Sequence, residues 1–214
     1  MKKFIQMLDS MGHQSPLEHV TFTFAIEDVS RSLLAQITRH RIASFSVQSQ
    51  RYVNMEDFKP IIPQDILNNR NCLDAFNECI EEINSVYCYI TDTLEYQYIQ
   101  NGLDEKSAHK KAIENARSVL PNAAPTKILV TMNARSLLHF FELRCCNRAQ
   151  DEIRELADQM LILCKEVAPN VFKNAGAPCV RGKCPEGKMS CGNPRNKVDE
   201  GNKQLEGQVR FKNV

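Results

Sequence analysis

Apolar positions along this chain change period several times, and each change marks an element. His19 to Ile26 alternates β-branched and aromatic residues (Val20, Thr21, Phe22, Thr23, Phe24), the two-residue period of a strand. Asp28 or Ser30 can cap a helix running to about Thr38, with Val29, Leu33 and Ile37 on one stripe. Ser44 to Val53 is rich in Ser, Phe, Val and Tyr and poor in helix formers, which predicts an extended segment, and Pro60 and Pro63 predict a loop. From Asn71 to Gln100 apolar residues recur at helical spacing (Leu73, Phe76, Ile80, Ile83, Tyr87, Ile90), and Gly102 is placed to end that helix. A helix over Asp104 to Val119 stopped by Pro121, a short strand over Lys127 to Met132, and helices over Asn133 to Cys145 and Ala149 to Val167 complete the pattern. After about Asn174 the periodicity stops and Gly, Pro, Lys and Asn take over. The mixture predicts an α+β fold: a single domain over 1–174 with a mixed or antiparallel sheet flanked by helices, then a Gly/Pro/Lys/Cys-containing tail over 175–214.

Composition narrows the classes. The 214 residues suffice for one sizeable core, and 27 basic against 26 acidic residues leave a formal charge of +1. Nothing global draws such a chain to nucleic acid or to an anionic membrane, and a nucleic-acid binder is expected to show a broader basic face and more stacking aromatics than a chain without tryptophan offers. No window approaches the roughly 18 to 20 apolar residues of a spanning helix, and Met1-Lys2-Lys3-Phe4 lacks an apolar signal core, so the expectation is a cytoplasmic protein. Of nine cysteines, Cys72, Cys79, Cys88, Cys145, Cys146 and Cys164 fall in helical stretches, where a reduced thiol acts as a small apolar group. Cys179, Cys184 and Cys191 are spaced C-x4-C-x6-C without the paired C-x2-C knuckles of common zinc sites, which leaves metal binding by the tail open and unassigned. His13, Glu18 and His19 form neither H-E-x-x-H nor H-x-x-E-H, and Pro16 interrupts any helix there, so no catalytic metal is assigned.

The densest chemistry lies between Arg39 and Tyr52. Arg39, His40, Arg41, Ser44, Ser46, Ser49 and Arg51 sit on a segment too apolar to be a solvated face. Guanidinium forks and hydroxyls match phosphate oxygens, although the same residues could tie a strand to neighbouring carboxylates. A second group lies on the helical stretch from Asn133 to Arg148. At about 100° per residue Arg135 and His139 share one face, Arg144 and Arg148 fall almost opposite, and Leu137, Leu138, Phe140, Phe141 and Leu143 fill the directions between, which predicts a buried helix whose cations need anions. Glu142, Asp151 and Glu152 are the internal candidates.

The string RHRIASFSVQSQRY resembles the RHRxxSxxxxSxRY signature of the flavin-dependent thymidylate synthases. Gly12 to His19 with Phe22-Thr23-Phe24 looks like that family's GHxxPxEH and FTF element. Ala116 to Pro121 and Asn133-Ala134-Arg135 leading to Leu143-Arg144 also match it in order, so the resemblance covers about residues 8 to 170. It implies a homotetramer with active sites shared between subunits. It also implies conversion of dUMP to dTMP with 5,10-methylenetetrahydrofolate as carbon donor and NADPH as reductant through bound FAD. Carried over by position, Ser15, Glu18, Arg39, His40, Arg41, Ile42, Ser46, Asn133, Arg135, His139 and Arg148 would bind FAD, and Gln36, Ser49, Gln50, Arg51, Arg117 and Arg144 would bind dUMP. Arg144 would be catalytic, stabilising negative charge on the pyrimidine ring. No cysteine is then obliged to attack the base, and Ser49, with no base placed to activate it, is assigned to nucleotide binding.

Relatives carry an extra strand and helix ahead of the GHxxPxEH element, which implies that a first strand and one flavin contact are missing here. Val47 stands where some have glutamate or glutamine near the nucleotide. From the residues alone a non-enzymatic phosphate or nucleic-acid binder, and a structural oligomer without catalysis, stay open.

Overall fold

A computed structural model describes Met7 and residues 11–195. A 3-10 turn at Ser15–His19 leads into β1 (Thr21–Ser30), α1 (Arg31–Ile37), β2 (Ser44–Val47), α2 (Gln64–Leu67), α3 (Arg70–Gln100), α4 (Glu105–Ala116), β3 (Pro125–Asn133), α5 (Ala134–Arg144), α6 (Asp151–Val167) and α7 (Pro169–Phe172). The strands form an antiparallel sheet in the order β1-β3-β2, and the α+β class expected from the pattern is the one observed. By internal contacts the described chain divides into a first unit of 11–27, 35–46 and 128–195 and a second of 28–34 and 47–127.

Strand and helix limits follow local chemistry. In the central strand β3, Thr126, Ile128, Val130 and Met132 are buried in strict alternation, the pleat period of a sheet with one face on the core. In β1 the alternation of Phe24 and Ile26 slips to Val29, and the slip coincides with Asp28 at φ 57, a left-handed conformation that Asp tolerates better than most residues. Ser30 caps α1, its Oγ accepting the Leu33 amide at 3.0 Å. Of the extended segment expected from Ser44 to Val53, only Ser44–Val47 is strand. The Tyr52 and Val53 amides then turn back onto the Ser49 carbonyl, at 3.4 and 3.2 Å, and the Ser49 Oγ accepts the Arg51 amide at 3.2 Å.

In the second unit α3 is started by Asn69, whose side chain accepts the Cys72 amide. It ends in paired bonds, Gly102 N–H to the Ile99 carbonyl at 2.9 Å and Leu103 N–H to the Tyr98 carbonyl at 3.1 Å, with Gly102 at φ 89 as the sequence required. Ala108, Ala112 and Ala116, fully buried along one face of α4, let α3 and α4 approach closely. Tyr87, Met55, Ala116 and Ala124 form the core cluster there, and the Tyr87 hydroxyl accepts the Met55 amide and donates to Asn54 Oδ1.

In the first unit Phe140, Phe141 and Phe172 are fully buried, with ring centroids of Phe141 and Phe172 5.8 Å apart. The helix predicted to carry Arg148 stops at Arg144, so the projection that set Arg144 and Arg148 together on a face opposite Arg135 does not apply to Arg148. Nor is α5 buried all round: Leu137, Phe140 and Phe141 pack inward while Leu143 is 47% exposed. Residues 175–195 are loop and 3-10 turn, as the loss of periodicity suggested, yet Arg195 is pinned to Asp158 on α6 by two guanidinium bonds of 2.7 and 3.0 Å.

Candidate functional site

One cavity of 1260 Å³ lies within the first unit. The segment after α1 lines it with Arg39, His40, Arg41 and Ile42, the 3-10 turn supplies Glu18, and the start of α5 adds Asn133, Arg135 and His139. Arg144, the last residue of α5, reaches the same cavity. The two arginine-bearing stretches therefore meet, although Arg135 and Arg144 project from a helix about half a turn apart, because a long side chain at a helix end is not confined by a following turn. Ser15, Ser46 and Arg148 lie outside this lining, and Arg148 instead donates to the Met189 carbonyl at 2.8 Å and pairs with Glu186 at 3.4 Å.

Charge in this cavity is unevenly compensated. Glu18 pairs with Arg135 at 2.5 Å and Glu142 with Arg181 at 2.9 Å, which leaves Arg39, Arg41 and Arg144 without a carboxylate partner among the described residues. Two of the three internal anions suggested by the sequence are engaged elsewhere: Glu142 holds Arg181, and Asp151 holds Arg154. Arg144 instead donates through Nε to Nε2 of His40 at 3.1 Å and, more weakly, through Nη2 to the Gln36 carbonyl at 3.5 Å. That hydrogen bond requires a lone pair on Nε2, so the His40 proton sits on Nδ1. Burial, the Arg144 guanidinium and His139 together push the His40 pKa down to about 4. The imidazole, packed edge-on against Phe140 with centroids 5.0 Å apart, is thus neutral near pH 7. Burial and the nearby Arg39 also lower the pKa of Arg144, the mark of cations crowded without counter-ions. The resulting field favours an anion, and the exposed apolar face of Ile42 on the same wall suits a planar ring.

The other substrate candidates lie in two places. Gln36, in the first unit, donates its side-chain amide to Gln150 at 2.5 Å. Ser49, Gln50, Arg51 and Arg117 belong to the second unit. There Arg51 is held by Glu114 at 2.8 Å, while Arg117 lies close enough to Arg31 for the two charges, together with burial, to lower the Arg31 pKa. Arg31 donates through Nη2 to the Gln48 carbonyl at 3.2 Å, but its Nε and the Gln50 Nε2 are buried with no hydrogen-bond partner. The like-charged Arg31 and Arg117, with the Arg31 Nε unanswered, suit an oxyanion, and the Gln50 Nε2 is a further unanswered donor of the same unit. Arg31 escaped the sequence reading because it falls in an ordinary helix start. Arg181 escaped it because it lies in a segment legible only as tail; neither carries a local signal.

Among the described residues no three His, Cys, Asp or Glu side chains gather as a metal site, and no helix is long and apolar enough to cross a membrane. The fold presents a cavity whose cationic lining suits an anionic ligand. The sequence model of the family described as thymidylate synthase complementing protein matches residues 1–170. The chain is 57% identical over 192 residues to the flavin-dependent thymidylate synthase of Clostridium tetani, covering 90% of this chain and 77% of that protein. It is 52% identical over 191 residues to that of Nitratidesulfovibrio vulgaris (88% and 75% covered), and 47% identical over 191 residues to that of Geobacter sulfurreducens (88% and 75%). The chain belongs to the flavin-dependent thymidylate synthase family, a family of enzymes.

Proposed function

We propose that this enzyme converts dUMP to dTMP, taking carbon from 5,10-methylenetetrahydrofolate and reducing equivalents from NADPH through bound FAD. The observation that carries the reading is the set of three arginines, Arg39, Arg41 and Arg144, that face one cavity with no carboxylate to answer them. FAD brings a diphosphate and a flat ring, and the cavity exceeds the range of about 300–1,000 Å³ usual for smaller ligands. Arg39, Arg41, Ile42, His40 and His139, with Asn133 and the Arg135–Glu18 pair, are its holders, and Ser15, Ser46 and Arg148 are assigned to it by family position. When bound, the flavin supplies the redox chemistry that the side chains lack.

The chain's own residues bind and polarise. The buried, unanswered Nε of Arg31 and Nε2 of Gln50 are donors that suit a phosphate, and Ser49, Gln50, Arg51 and Arg117 are assigned to dUMP by family position. Arg144, oriented by neutral His40, is the group we assign to stabilise charge on the uracil ring, a contribution of about 3 kcal/mol for one well-placed donor. A cysteine nucleophile is not supported at the two buried thiols: burial raises the pKa of Cys145 and pushes Cys164 up to about 12, so both stay protonated. A homotetramer with shared sites and a cytoplasmic location belong to the same reading, which family position supports.

FAD titration of the purified protein, followed by flavin fluorescence, tests it. The wild type is expected to take up FAD, and Arg39→Ala with Arg41→Ala is expected to weaken uptake by about tenfold or more at low salt. Unchanged affinity in the double variant, or no uptake by the wild type, would refute the assignment.

A further inference from the structure

A second cavity, of 310 Å³, lies in the first unit next to the one described, and Asn174, Ala175 and Arg181 line both. Its walls carry four cations, Lys165, Lys173, Arg181 and Arg195, and no carboxylate. Two of the four are already answered. Arg195 makes its paired contact with Asp158 and donates to the Cys145 carbonyl at 2.7 Å; Arg181 pairs with Glu142 and donates to the Asn174 carbonyl at 3.0 Å. Lys165, near the end of α6, and Lys173, just past α7, have no ion-pair partner among the described residues. The Cys145 thiol on the same wall cannot answer them, because burial and Asp158 keep it protonated. Ala175, Gly176 and Ala177 bring only small side chains to the wall, and Gly176 at φ 129 shapes the bend.

Two lysines lining a hollow with no carboxylate in its wall, Lys165 part-buried and Lys173 exposed, are complementary to a phosphate monoester, which carries about −1.5 to −2 at neutral pH. The chemistry favours phosphate over carboxylate. Carboxylate recognition draws on the planar guanidinium fork, and both forks here are occupied, whereas lysine binds phosphate as a point charge. We propose that this cavity is an anion subsite that receives the ribose phosphate of the nicotinamide cosubstrate, the group that distinguishes NADPH from NADH. The inference rests on the reading of NADPH as reductant and adds to it where that phosphate goes and which lysines select it.

The test compares the wild type with Lys165→Gln/Lys173→Gln and with the charge-keeping Lys165→Arg/Lys173→Arg. Calorimetry with 2′,5′-ADP is expected to show binding to the wild type, a loss of about tenfold to a hundredfold in the glutamine pair, and recovery to within about threefold in the arginine pair. In the flavin-reduction assay the glutamine pair is expected to raise KM for NADPH by a like factor and leave KM for NADH and FAD content unchanged. Equal 2′,5′-ADP affinity in wild type and glutamine pair overturns the subsite, as does absence of wild-type binding or a selective loss of folate affinity. The calorimetry needs no turnover. Lysine-dependent binding in a protein that makes no dTMP would therefore sink the proposed reaction and leave the phosphate site standing, while normal turnover with lysine-independent binding would sink the site alone.

Discussion

Protonating His40 would place a positive imidazolium 3.1 Å from the Arg144 guanidinium, on the atom that now accepts its hydrogen bond. The folded protein resists this, holding the His40 pKa at about 4 against an ordinary value of 6.5. Between these two values the unfolded chain binds a proton that the folded chain does not, so stability rises with pH across this window. The contribution is fully present above about pH 6.5 and is lost progressively as the pH falls toward about 4. A span of about 2.5 pH units is worth at most about 3.4 kcal/mol at 1.36 kcal/mol per unit. The ring is only half-buried, so solvent screening brings the expected share to about 1–2 kcal/mol.

Urea unfolding of wild type and His40→Gln at about pH 7 and about pH 4.5 isolates it, because glutamine keeps an acceptor for Arg144 and cannot titrate. The variant should lose about 1–2 kcal/mol less than the wild type on acidification, and an NMR titration should show the His40 ring still neutral at pH 5.5, on the order of one unit below its ordinary value. A His40 ring that titrates near 6.5, or identical acid sensitivity in both proteins, would refute the argument that burial and Arg144 together fix this imidazole.

Two further outcomes concern the scaffold. Asp158→Ala leaves Arg195, whose side chain is 18% exposed, without its paired contact and should cost about 3 kcal/mol in urea unfolding; a change below about 0.5 kcal/mol would mean that 175–195 is not fastened there. Gly102→Ala meets no atom within 4 Å yet must hold φ 89, so about 1 kcal/mol of destabilisation from backbone strain alone is expected, and a neutral result would contradict the helix-end geometry.

Much of the architecture was legible because its signals are local. Ser30, one of the two caps the sequence offered, the Leu73 to Ile90 spacing of α3 and Gly102 as its terminator each depend on neighbours within a turn or two, and the structure has all three. Strand Ser44–Val47 was half legible: residues with strand preference continue to Val53, but the Ser49 carbonyl and hydroxyl capture the following amides and turn the chain. The end of α5 was legible to within a residue of the expected Cys145, and only the projection carried on to Arg148 fails, since nothing in the residues from Cys145 to Arg148 forbids a helix. The orphaned donors of Arg31 and Gln50, the Glu142–Arg181 pair and the Arg195–Asp158 clamp were invisible, since each joins residues distant in sequence and their partners are set by packing. Family likeness brought Arg39, Arg41 and Arg144 to attention. The geometry adds that they share one cavity and that a neutral histidine, rather than a carboxylate, holds the last of them.

The most direct measurement is an anaerobic assay of dTMP formation with dUMP, 5,10-methylenetetrahydrofolate, FAD and NADPH, run on wild type and Arg144→Ala beside their flavin content. The wild type is expected to form dTMP that vanishes without NADPH, and the Arg144→Ala protein to retain most of its FAD while losing turnover by about a hundredfold or more. A flavin-loaded wild type that makes no dTMP, or an Arg144→Ala variant with near-normal turnover, would contradict this expectation.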